Sequence, residues 1–96
     1  GEWAALQPVP EARGGTGLAH AGGMLVAVGG EDTEKTLDSV FGYDLEERRW
    51  RELPDLPTPR HGMAVAAVGN RVYAIGGSPV ADLGFSTKNE FIDLDS

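Results

Sequence analysis

An all-β chain made of two copies of one turn-rich, four-stranded unit is what this 96-residue sequence predicts. Three observations carry the expectation: a self-similarity of fixed period, short apolar runs of strand length, and glycines that punctuate those runs at the same place in each copy. Trp3, Leu6, Pro10, Arg13, Gly15, Gly22, Gly29 and Gly30 recur as Trp50, Leu53, Pro57, Arg60, Gly62, Gly69, Gly76 and Gly77, every pair 47 positions apart. One register that includes a tryptophan and a double glycine marks a repeat architecture in which each copy is a supersecondary unit. Past the glycines the register slips by two, so that Tyr43-Asp44-Leu45 matches Ile92-Asp93-Leu94. An insertion of two residues in the loop beginning at Ser78 accounts for the slip, and loops absorb insertions readily.

Within the first copy the punctuation yields strands over 16–21, 24–28, 39–43 and 50–53; the second copy gives 63–68, 71–75 and 88–92 and has no counterpart of the fourth. The first unit thus occupies 14–53 and the second, with three strands, 61–94. The first strand of each copy carries small residues at a spacing of two, Gly15, Gly17, Ala19 and Ala21 in one, Gly62, Ala64 and Ala66 in the other. A strand with one nearly bare face suits the crowded centre of a radial arrangement, where neighbouring sheets converge. The second strand is a continuous apolar run, Met24-Leu25-Val26-Ala27-Val28 or Val72-Tyr73-Ala74-Ile75. Such runs are expected where both faces of a sheet are covered, as they are when sheets stack side by side.

Composition narrows the partners. Fifteen acidic against eight basic residues give a net charge of −7, so nucleic acid and anionic lipid are disfavoured by long-range repulsion. The apolar run 24–28 is too short to span a bilayer, and no membrane or nucleic-acid partner is expected. The absence of cysteine fits a reducing cytoplasm and equally any other compartment. A domain this small is usually stabilised by disulfides, metals or oligomerisation. Without cysteine, and with only His20 and His61 as imidazole ligands, oligomerisation is the expected remedy.

An apolar strand, Gly29-Gly30, then Tyr43, six residues and Trp50, preceded by the turns ending in Arg13 and Arg60, resembles the kelch family over essentially the whole chain. The departures are Ile92 where the family prefers Tyr, and a second-copy Trp that the chain does not reach. The resemblance implies a kelch-type β-propeller with two four-stranded blades per chain. It also implies ring closure by a shared blade, in which residues 3–6 serve as the closing strand, pairing with 88–92 of another copy or of a longer parent chain. Six residues separate Tyr43 from Trp50, and 93–96 followed by Gly1 and Glu2 also make six, so copies tile in register. Trp3 and Trp50 are then expected at equivalent buried sites. With two blades per chain and six the favoured even number among kelch relatives, a cyclic homotrimer is expected.

No nucleophile elbow, phosphate loop or spaced metal pair is present, and no cofactor or metal is expected. Gly14-Gly15-Thr16-Gly17 and Gly29-Gly30 are not followed by the Lys-Ser/Thr pair of a phosphate loop, and their reading is structural. The family's copper-radical oxidases need a cysteine at the metal, which this chain lacks. The expected function is a non-catalytic, self-assembling propeller scaffold for protein or ligand binding, with a fragment of a kelch-fold enzyme such as a sialic-acid epimerase as the alternative. Up-and-down topology puts loops 31–38 and 78–87 on one face together with the Pro-rich turns, and varied loops carry recognition. Arg13 and Arg60 match positions where some kelch substrate adaptors grip acidic peptides, with a structural ion pair as the competing reading. Glu31, Asp32, Lys35, Ser78 and Asp82 are candidates by loop position.

Overall fold

The computed structural model describes residues 1–80 and 84–95, and within them the repeat resolves into two antiparallel sheets. The first contains β1 (Gly17–Ala21), β2 (Met24–Glu31), β3 (Thr36–Asp44) and β4 (Arg49–Leu53) in chain order; the second contains β5 (Ala64–Val68), β6 (Arg71–Ile75) and β7 (Asn89–Asp93). Every strand read from the repeat is present. The main difference lies around the double glycine, where β2 runs on to Glu31 and β3 begins at Thr36 because a bulge between Val28 and Gly30 lets Gly30 pair with Leu37. The loop expected over 31–38 is therefore shorter than the glycines suggested; a bulge, which inserts a residue without ending the ladder, is indistinguishable from a strand end in sequence.

Alternation along the strands assigns the faces. Ala19 and Ala21 of β1, Val26 and Val28 of β2 and Val40 of β3 share the face turned toward the second sheet, which answers with Val65, Ala67, Val72, Ala74 and Ile92. These side chains form the core between the sheets, with Val26 fully buried. The two small-residue strands are the ones that meet, Gly62 N–H donating to the Gly15 carbonyl at 2.8 Å. A Cβ on Gly17 would overlap Val65, so the sheets approach as closely as they do because β1 carries no side chain there.

The outward faces differ in what covers them. On the first sheet, residues 7–13 cross the face bearing Phe41, Tyr43 and Trp50; the Trp50 indole N–H donates to the Gln7 carbonyl at 2.9 Å and the ring stands edge-on to Tyr43, centroids 5.2 Å apart. On the second sheet Val68, Ile75 and Phe91 are exposed, and on the first Leu18 is exposed as well. Residues 3–6 lie in no strand of this chain, and Trp3 is 103% exposed while Trp50 is half-buried. Within the chain the two tryptophans thus do not share an environment, because Trp50 lies in β4 against Tyr43 while residues 3–6 pair with no strand.

Candidate functional site

The loop face is organised by two buried arginines, whose contacts are those of the structural ion pair that competes with the ligand-gripping reading. Arg60 is 0% exposed. Its guanidinium donates to the carbonyls of Gly76 and Lys88 at 3.1 and 2.8 Å and to Glu90 Oε1 at 2.7 Å. Arg13 repeats the arrangement one copy earlier, donating to the carbonyls of Gly29 and Ser39 at 2.9 and 3.0 Å and to Glu11 Oε1 at 3.0 Å. Burial pushes the Arg13 guanidinium below its usual value while Glu11 pulls it back. A planar fork of five donors suits this task, holding two carbonyls and a carboxylate at once. Each arginine ties the first glycine of the pair to the strand that follows it, and its two terminal nitrogens are spent on these contacts.

The glycine pair is part of the same device. Gly29 and Gly30 have φ of 57° and 116°, and a Cβ on Gly29 would stand 2.5 Å from the Arg60 carbonyl. Gly30 N–H donates to that carbonyl at 2.8 Å, so the backbone leading into the second sheet is stitched directly onto β2. The glycine pair thus serves backbone approach and not anion binding at this position.

Above this layer sit the remaining candidates. Gly14 pairs with Glu31 and His61 with Ser78, equivalent bridges one repeat apart. The Glu31 carboxylate of the first sheet reaches across the boundary to His61 of the second, Oε2 to Nε2 at 3.5 Å, and that oxygen is buried without a hydrogen-bond partner. His61 Nε2 lies 2.6 Å from the Val80 carbonyl, which requires the proton on Nε2. Ser78 is buried and its hydroxyl donates to the Val80 carbonyl at 2.9 Å, shaping the loop from beneath. Asp32 accepts the N–H groups of Glu34 and Lys35 at 2.8 Å each, and these bonds hold its carboxyl below the usual range. Lys35 is exposed at the tip of that turn. Asp82 lies outside the described residues.

The structure therefore brings Glu31, Asp32 and Lys35 together at one turn, sets Ser78 beneath the equivalent loop, and withdraws Arg13 and Arg60 into the scaffold. Sequence reasoning missed Glu11 and Glu90 as counter-ions. It named His61 only as an imidazole and did not join it to Glu31, since the pairing crosses two sheets. The repeat register held the signal: Arg13 and Arg60 each fall 16 residues before a glycine whose carbonyl they bind. Among the described residues no group of three or more His, Cys, Asp or Glu side chains is disposed to hold a metal, and no helix is long and apolar enough to cross a membrane.

Comparison with known proteins gives a consistent picture. The Kelch motif family matches residues 12–57 and 59–78, more than half of the chain. Human Kelch-like protein 41 is 41% identical over 54 residues, a stretch that covers 54% of this chain and 9% of that protein. The chain therefore corresponds to a small part of the relative it matches.

Proposed function

The chain belongs to the kelch motif family, and from that premise we propose that it is a two-blade section of a non-catalytic propeller scaffold that completes its ring with further copies of itself and binds a protein or small ligand on its loop face. One observation carries the assembly. The two apolar faces left outward are repeat equivalents of the two faces buried against each other inside the chain: Gly17 meets Val65 between the sheets, and one repeat on and one repeat back the same positions are Ala64 and Leu18, both exposed. Two such faces are complementary in shape and cannot meet within one chain, so a head-to-tail contact between copies buries both. Repeated contacts of that kind close into a ring when the rotation divides a full turn, and three copies give six blades.

For ligand binding, the support is the division of labour on the loop face. The buried arginines fix the backbone, and the turn at Asp32–Lys35 stands on that base with its charged side chains outward. Light scattering on the eluting protein tests the assembly: a mass near three times 10.1 kDa is expected, and a well-folded monomer overturns it. Once a binding partner is in hand, Asp32→Ala with Lys35→Ala should weaken it while leaving the ring intact.

A further inference from the structure

We propose that Thr58 is a phosphorylation site for a proline-directed serine/threonine kinase, and that its phosphate takes the buried Arg60 guanidinium over from Glu90. The inference is independent of how many copies assemble. Two hydroxyl residues of the chain precede a proline, Thr58 in Pro57-Thr58-Pro59 and Ser78 in Ser78-Pro79. Burial separates them. Ser78 is buried with its hydroxyl on the Val80 carbonyl at 2.9 Å, whereas Thr58 is half-buried between two exposed prolines. A following proline disfavours the helical conformation and leaves the residue extended, the form in which a kinase cleft takes its substrate.

The first blade shows what an anion at this position does. Glu11 is the counterpart of Thr58, 47 positions earlier. It meets the Arg13 guanidinium along one edge, Nη2 donating to Oε1 at 3.0 Å and Nε to the Glu11 carbonyl at 3.1 Å. In the second blade Thr58 brings no charge, Glu90 accepts from Nη2 at 2.7 Å, and Arg60 Nε is buried with no hydrogen-bond partner. A buried donor left unmet costs stability, the more so on a charged group. Phosphothreonine carries its terminal oxygens the same number of bonds from Cα as glutamate does, on a group with three acceptors and a charge of about −1.5 to −2. It therefore holds Nε and Nη2 together, the bidentate pairing that a guanidinium favours.

The surroundings complete the exchange. Thr58 Oγ1 already lies 3.1 Å from Glu90 Oε2, so a phosphate built on it repels that carboxylate. The Glu90 side chain is 22% exposed and regains water once displaced. Lys88 stands at the register place of Ser39, whose hydroxyl donates to the Glu11 carboxylate at 2.5 Å, so the second blade has a cation where the first has a hydroxyl. In the transfer, Thr58 Oγ1 attacks the γ-phosphorus of a nucleoside triphosphate on the kinase, the P–O bond to the departing diphosphate breaks, and the hydroxyl proton passes to the kinase's base. The carbonyls of Gly76 and Lys88 keep Nη1. The modification thus changes whether the turn or the strand supplies the charge that meets Arg60.

The test incubates the full folded chain with a proline-directed kinase, ATP and Mg²⁺ and locates phosphate by peptide mapping. Phosphate on Thr58 and none on Ser78 is expected. In phosphorus NMR it should titrate below the value of about 6 of a solvated phosphomonoester in the folded chain and return to that value in urea. Glu90→Gln should lower the urea midpoint of the unmodified chain and not that of the phosphorylated one. A folded chain left unmodified at Thr58 overturns the proposal, and so does a phosphate that titrates alike in folded and unfolded chain. Equal losses from Glu90→Gln in the two forms overturn the exchange of partners; if that variant does not fold unmodified, the phosphorus titration of the parent chain decides.

Discussion

The two blades share a register and a backbone device, yet among the described residues the first has four strands and the second three. In the first, β4 closes the sheet, Trp50 covers Tyr43, and residues 7–13 lie over that face. In the second, β7 is the last strand described, Ile92 stands where Tyr43 does, and a cavity lies beside it between the sheets. The difference teaches that a repeat's local geometry does not depend on its closing strand. The hairpins, the positive-φ glycine pair and the arginine clamp form in both copies, whereas among the described residues a fourth strand is present in the first sheet alone.

The clamps themselves sharpen the point. Arg13 takes its carboxylate from Glu11 on its own turn and lies over the Phe41 ring, 5.1 Å from the centroid. Arg60 takes its carboxylate from Glu90, the counterpart of Phe41 on the third strand, while Thr58, the counterpart of Glu11, donates to the second Glu90 oxygen at 3.1 Å. Acid and partner have exchanged places between turn and strand. What is preserved is the buried guanidinium with one carboxylate.

Breaking the second clamp should have the largest effect. Arg60→Ala leaves Glu90 and two carbonyls facing a buried void, and loss of one member of a buried pair costs about 3–5 kcal/mol, to be read from the urea midpoint. Arg13→Ala should cost less, about 1–3 kcal/mol, since Glu11 is 41% exposed and regains water. Equal losses would deny that the two clamps differ in their access to solvent.

The facing strands give the next contrast. Gly17→Val forces a side chain into Val65 and should cost about 1–3 kcal/mol by overpacking. The equivalent substitution in the other blade, Ala64→Val, lies on an exposed position and should change chain stability by under about 0.5 kcal/mol. It should nonetheless lower the assembled mass seen by light scattering. A stable ring containing Ala64→Val would show that this face is not packed as the inner one is.

Trp3→Ala removes a side chain with no contact inside the chain, so thermal unfolding of dilute protein should be unchanged within about 0.5 kcal/mol. Trp50→Ala should lose the Tyr43 contact and the Gln7 bond and cost about 1–3 kcal/mol. Similar losses for both would erase the distinction between the closed edge and the open one.

The smallest effect is electrostatic. Asp44 accepts the N–H groups of Glu47 and Glu46 and pairs with Arg51, which together hold its carboxyl below the usual range. A carboxyl depressed in the folded chain adds stability that is present above its unfolded value, about 4, and lost as pH falls through the folded one. The β3–β4 turn should therefore loosen in acid. Asp44→Asn should flatten the dependence of thermal midpoint on pH below that value; an unchanged slope would remove Asp44 from the account.

Much of this was legible in the residues. The period and its glycines announced seven strands and their order, because turn chemistry and apolar runs are local properties that each segment carries with it. The bare first strands announced which strands would meet, because only small side chains allow sheets to converge. The arginines were visible as a repeated position, but a guanidinium reads alike in sequence whether it faces water or two carbonyls; the carbonyls of Gly29 and Gly76 belong to strands that come near only after the sheets have formed. Glu31 and His61 likewise meet across the boundary between blades. The sequence by itself determined the unit, its copies and their faces, since periodicity fixes which way each side chain points. Tertiary structure alone decided which charges were consumed in holding the loops, because that depends on distances between residues far apart in the chain.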